Sequence, residues 1–202
     1  MTDRRTFLQT GITALALPTI ARTAFSLPLS EPSETGQTIS PYKIIYDENF
    51  QDSVAFANEA SKLGADIHGI KGDVTDLWYN DLYHEWKKGP APIMGMTDEA
   101  ALFCLEELAK DQRMRVVLRI DHKYISANRI EHVISGITES PREISNLVKD
   151  GPAWNIQIAS LVMNCTENRA TLSPTRLVTE LKSPAKDKTS LVSWVIAPVK
   201  KA

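Results

Sequence analysis

Lys43-Ile44-Ile45-Tyr46-Asp47, His68-Gly69-Ile70-Lys71-Gly72-Asp73, Ile93-Met94-Gly95-Met96-Thr97-Asp98 and Val116-Val117-Leu118-Arg119-Ile120-Asp121-His122 are four short apolar runs, each ending in polar residues. Helical patterns fill the gaps between them. Strand alternating with helix at this spacing predicts a parallel sheet with crossover helices. Such sheets bind ligands beyond the carboxyl ends of their strands, so the run endings mark the place to look for a site.

Working outward, Phe50 to Leu63 reads as a helix with Phe56, Ala60 and Leu63 on one face, closed by Gly64. Val74 to Lys88 reads as a second, with Trp78, Leu82 and Trp86 on one stripe and Gly89-Pro90 as its stop. Glu99 to Lys110 is a third, turning Ala101, Cys104, Leu105 and Leu108 to the sheet, with Asp98 and Glu99 at its positive end.

Beyond His122 the alternation weakens. Arg129 to Ile137 reads as a strand returning antiparallel after a turn near Ser126-Ala127-Asn128. Ser140-Pro141-Arg142-Glu143 is a capping box that starts a helix to Lys149. Ala153 to Asn164 reads as another helix, and Leu177 to Leu181 and Leu191 to Ile196 as a hairpin on the sheet edge. The expected fold is α/β, a Rossmann-like or flavodoxin-like three-layer arrangement. It has a mainly parallel sheet with crossover helices and antiparallel carboxyl-terminal strands.

The 43% apolar content supports a packed core. Setting aside the first 26 residues, which hold Asp3, Arg4, Arg5 and Arg22, the 23 basic and 25 acidic residues become 20 and 24, a net charge of minus 4. No basic cluster is denser than Lys87-Lys88 or Lys200-Lys201. That distribution does not suit a nucleic acid partner.

At the amino terminus, Arg4-Arg5-Thr6-Phe7-Leu8 precedes a modest apolar stretch, Gly11 to Leu17, and small residues around Ala21 to Ser26. This resembles the twin-arginine (Tat) signal peptide of bacteria, with Arg4 and Arg5 as the export signal. Asp3 and Gln9 depart from the usual pattern. The apolar stretch is shorter than the ~20 residues of a spanning helix, so no stable membrane span is expected. The resemblance implies a periplasmic protein, recognised by the Tat export machinery and carried folded, with a periplasmic redox enzyme as a natural partner. On this reading residues 1–26 are the signal, 27–41 a flexible linker rich in Ser, Pro and Thr, and 42–202 a single α/β domain.

Asp73, Thr97 and Asp98 precede helices, so each fits either an N-cap or a ligand contact. Asp47 has Asn49 as a competing cap, which leaves its own side chain freer. Asp121-His122 precedes no helix, and a carboxylate beside an imidazole can orient a base. Neighbouring strand residues face opposite ways, which works against that pair. The candidate catalytic residues are therefore His122, Asp121 and Asp47, and the candidate ligand contacts Asp73, Thr97 and Asp98. Trp78, Tyr79, Tyr83 and Trp86 form either core packing or a partner-docking face.

Several chemistries have no motif. The histidines show no H-E-x-x-H spacing, and no G-x-G-x-x-G, phosphate loop, G-x-S-x-G or C-x-x-C-H occurs, so no metal site is expected and no cofactor is identified. Cys104 is expected to be packed away and free. Three functions remain open: an exported accessory or binding protein serving a redox system or holding a small ligand, a small hydrolytic enzyme using Asp47, Asp73 and His122, and a protein-interaction module.

Overall fold

The computed structural model describes residues 37–136, 153–166, 174–181 and 189–198, all within the unit Glu34–Ala202. The expected signal peptide and the helix from Pro141 to Lys149 lie outside the described residues. In chain order the elements are β1 (Lys43–Asp47), α1 (Gln51–Lys62), β2 (Ile67–Ile70), helix α2, β3 (Ile93–Thr97) and α3 (Glu99–Lys110). Then follow β4 (Met114–Ser126), β5 (Arg129–Ser135), α4 (Trp154–Met163), β6 (Thr175–Glu180) and β7 (Leu191–Pro198). Helix α2 is composite. Thr75–Leu77 and Tyr83–Trp86 are α-helical and flank a π-helical turn, Trp78–Leu82.

The strands form one open sheet in the order β2-β1-β3-β7-β4-β5-β6. Among the described strands the β1–β2 and β1–β3 pairings are parallel, and the other four are antiparallel. The expectation of a mainly parallel sheet is therefore corrected: the fold is α/β, but its sheet is mixed and mostly antiparallel. The cause is β7. Instead of making an edge hairpin with β6, it inserts antiparallel between β3 and β4. Its residues Leu191 to Ala197 are buried on both faces, whereas β6 alternates between half-buried and exposed. An unbroken apolar run belongs in the middle of a sheet and an alternating one near its edge.

Helices cover both faces. Phe56 and Ala60 of α1 and Trp154, Ile158 and Val162 of α4 pack with Ile44, Met94, Ile120 and Val195 on one side. Leu77 and Trp86 of α2 and Leu102 and Leu105 of α3 pack with Ile45, Ile93 and Trp194 on the other. The π turn sets the inward face of α2. Val74, Leu77, Leu82 and Trp86 are buried, so one step between inward residues is five rather than four, and Trp78 is displaced from the stripe.

A bulge at Val117 decides which way β4 faces. Val116 pairs with Ile196 and Leu118 with Val195, so the strand gains one residue between them and inverts its alternation. Gly136, with φ of 92°, makes room for it, since a β-carbon there would stand 2.2 Å from the Val117 carbonyl oxygen. Beyond the bulge, Leu118, Ile120 and His122 are buried toward α1 and α4. Arg119 and Asp121 point to the opposite face.

The folded unit begins ahead of Tyr42. Ile39 is buried and its N–H donates to the Cys165 carbonyl at 2.8 Å, beside a Thr38–Thr166 bridge. No helix among the described residues is long and apolar enough to cross a membrane.

Candidate functional site

The carboxyl edge of β2, β1 and β3 is built around Asp47, the last residue of the central strand of the parallel trio. Its side chain is fully buried. The Asp47 N–H donates to Ser53 Oγ at 2.9 Å, and that hydroxyl donates to the Met96 carbonyl, tying α1 to both strands. Asp47 Oδ1 accepts from the Asn49 N–H at 2.9 Å. Asn49 thus does not cap α1, which starts after Phe50 with no side-chain cap. Asp47 Oδ2 is buried with no hydrogen-bond partner. It faces Gly72, where a β-carbon, if present, would lie 3.9 Å from it. Burial pushes the Asp47 carboxyl above its ordinary range, the Asn49 N–H opposes that, and the negative charge of Asp98 adds to it. Leaving such an oxygen unpaired costs ~1–3 kcal/mol.

The other edge residues are committed to holding the fold. Asp98 Oδ1 accepts from the Ala101 N–H at 2.8 Å and caps α3. Asp73 Oδ1 accepts from the Thr75 N–H at 2.8 Å at the exposed start of α2. Thr97 Oγ1 donates to the Asp98 carbonyl and accepts from Trp194 Nε1 at 3.1 Å, which joins β3 to β7.

Asp47, Asp121 and His122 do not converge. The register that pairs Tyr46 with Met96 brings Asp47 level with Thr97, and Thr97, Val192 and Asp121 continue the same row. Three strand spacings put Asp121 about 14 Å from Asp47. Asp121 is ion-paired with Arg119 at 2.7 Å, and the same guanidinium reaches Glu99 of α3 at 2.5 Å. Those two carboxylates hold Arg119 firmly charged.

His122 lies on the other face and answers to different partners. Its Nδ1 is 2.7 Å from His132 Nδ1 and its Nε2 is 2.8 Å from Ser193 Oγ. All three residues are buried, and His132 Nε2 has no partner. Burial holds His122 well below the usual imidazole range, and His132 adds to this; burial alone lowers His132 to about 4. Both rings are neutral at pH 7. Ser193 and His132 were not legible as site residues. The signal was available in the continuous apolar run around Ser193, which marks a polar residue in a central strand.

On α2, Trp86 is fully buried and its Nε1 donates to the Ala91 carbonyl at 3.0 Å. Trp78 packs edge-on against Trp86 and Tyr83. Tyr79 and Tyr83 are exposed, with the Lys87 ammonium 3.9 Å from the Tyr83 ring centre. Cys104 is exposed rather than packed away, because the buried stripe of α3 runs through Ala101, Leu102, Leu105 and Ala109 and leaves position 104 outside it. Cys165 is half-buried, its thiol lies 3.9 Å from the Thr166 carbonyl oxygen, and the two cysteines are not joined in a disulfide. Among the described residues no group of three or more His, Cys, Asp or Glu side chains is placed to hold a metal ion. Compared with family models, curated proteins and solved structures, the chain matches none.

Proposed function

We propose that this chain is a periplasmic accessory or binding protein, exported folded by the twin-arginine route. It holds a small polar ligand at the carboxyl edge of β2, β1 and β3 in the service of an exported redox system. One observation carries the ligand reading: the buried, unpartnered Oδ2 of Asp47, in a place where parallel sheets bind ligands. A group whose burial costs free energy and whose second oxygen stabilises nothing in the fold is better explained by what it contacts when occupied. The Arg4-Arg5 motif supports the address.

Native mass spectrometry of the protein purified without refolding from the exporting cells tests the ligand. A small-molecule adduct is expected on the wild type, reduced at least tenfold in Asp47→Asn with an unchanged circular dichroism spectrum. Equal adducts in both, or none in either, overturn the reading. For the address, Arg4→Lys combined with Arg5→Lys should leave the protein in the cytoplasmic fraction, and an unchanged periplasmic share would refute it.

A further inference from the structure

The neutral histidine pair sits where strands β4 and β5 place His122 directly opposite His132. In register it is the middle of a row whose outer members are Leu191 of β7 and Leu177 of β6. Two imidazole nitrogens 2.7 Å apart hold one hydrogen between them, so one ring donates and the other accepts. One added proton leaves that bond intact, because the donor ring takes it at its other nitrogen, and the bond fails only when both rings are cations.

The Trp154 ring of α4 closes over the pair, 4.7 Å from the His122 ring centre and 5.2 Å from that of His132. Helix α4 brings no charge of its own to this face, and neither do β5, β6 and β7, whose facing residues are Ile, Leu, Thr and Ser. From α1 comes Asp52 and from β4 comes Tyr124. They are bonded to each other at 2.6 Å, and Asn155 of α4 donates to the same carboxylate at 2.9 Å. No described carboxylate is hydrogen-bonded to either imidazole.

We propose that the His122–His132 pair is a proton-operated latch: protonation of both rings breaks the Nδ1–Nδ1 contact and releases helix α4 from the sheet. With both facing nitrogens protonated, two N–H groups point at each other across 2.7 Å and one ring has to turn. The strands are fixed by their ladders, so the movable wall is Trp154. Helix α4 begins at Ala153 with no side-chain cap, and beyond its end Cys165 and Thr166 hold Ile39 and Thr38. Its release therefore also frees the segment that joins the folded unit to the residues before it. The depressed affinity of both rings for protons keeps the latch closed at neutral pH and opens it in acid.

Hydrogen exchange of the full chain tests this. After correction for intrinsic rates, protection of the α4 amides is expected to fall by at least about twentyfold from pH 7 to pH 5, the share of one histidine titrating between 6.5 and about 4, and at pH 5 to lie tenfold or more below that of the α3 amides. The double variant His122→Gln, His132→Leu should show no such fall. Equal protection of α3 and α4 at pH 5, no loss in α4, or an equal fall in the double variant overturns the latch. Should that variant fail to fold, carbon shifts of the wild-type imidazoles decide: rings that stay neutral while α4 loses protection refute it, and rings that charge in step with the loss support it.

Discussion

The two halves of the sheet hold their polar groups in opposite ways. In the parallel half, β2-β1-β3, polar residues stand at the strand ends, where helix starts and loops meet. There Asp98 caps α3, Asp73 bonds the Thr75 N–H ahead of α2, and Asp47 is left with one oxygen to spare. In the antiparallel half, β7-β4-β5-β6, the polar residues His122, His132 and Ser193 lie within the strands, beneath a helix. A strand end can exchange its contacts with a ligand at little cost to the sheet. A polar group in mid-strand has no solvent to fall back on, so its protonation state becomes part of the stability of the fold.

The seam between the halves gives the largest predicted effect. Gly95 of β3 pairs with Trp194 of β7, and a β-carbon there would stand 2.2 Å from the Ile45 carbonyl oxygen and 2.7 Å from the Trp194 ring. Gly95→Ala should destabilise by on the order of 4 kcal/mol, because backbone on one side and a packed indole on the other leave no room to yield. Urea denaturation measures it, and a loss under 1 kcal/mol would mean the halves are joined more loosely than described.

The antiparallel half should dominate the response to acid. An unfolded histidine titrates near 6.5 and folded His132 near 4, so between these values the unfolded chain binds more protons and stability falls as pH drops. The loss should reach on the order of 3 kcal/mol by pH 4 and then level off for this group. His132→Leu should remove that group's share of the slope and leave the share of buried His122, and urea midpoints that follow the same pH curve in both proteins would contradict the contrast between the halves.

The smallest effects belong to the parallel edge. Asp98→Ala should cost about 1 kcal/mol through loss of the α3 cap, and Asp73→Ala at its exposed corner about 0.5 kcal/mol. Thermal denaturation of the two variants compares them directly. A cost above 2 kcal/mol for Asp73→Ala would show that this corner does more than hold the Thr75 N–H.

Much of the local structure is legible in the chain. Glu99 to Lys110 is a helix over the residues its pattern predicts, and the helices after β1 and around Trp154 fall within a residue or two of expectation. The capping role of Asp98 follows from its place before a helical stripe, whereas at α2 the N-cap position falls on Val74 and Asp73 stands one residue outside it. The partners of His122 were less accessible. Its neighbour Asp121 turns to the other face, and the bonds it makes reach across to His132 and, 71 residues later in the chain, to Ser193.

By itself, then, the sequence determined the elements, the β1–α1–β2 rhythm and the residues at the strand ends, because helix periodicity, capping and turn chemistry act between residues close along the chain. Only the tertiary structure decided that β7 lies between β3 and β4, that the Val117 bulge sends His122 inward and Asp121 outward, and that Asp47 keeps a buried oxygen unpaired. Those outcomes depend on which distant apolar surfaces bury each other best, and that competition has no period for a linear reading to find.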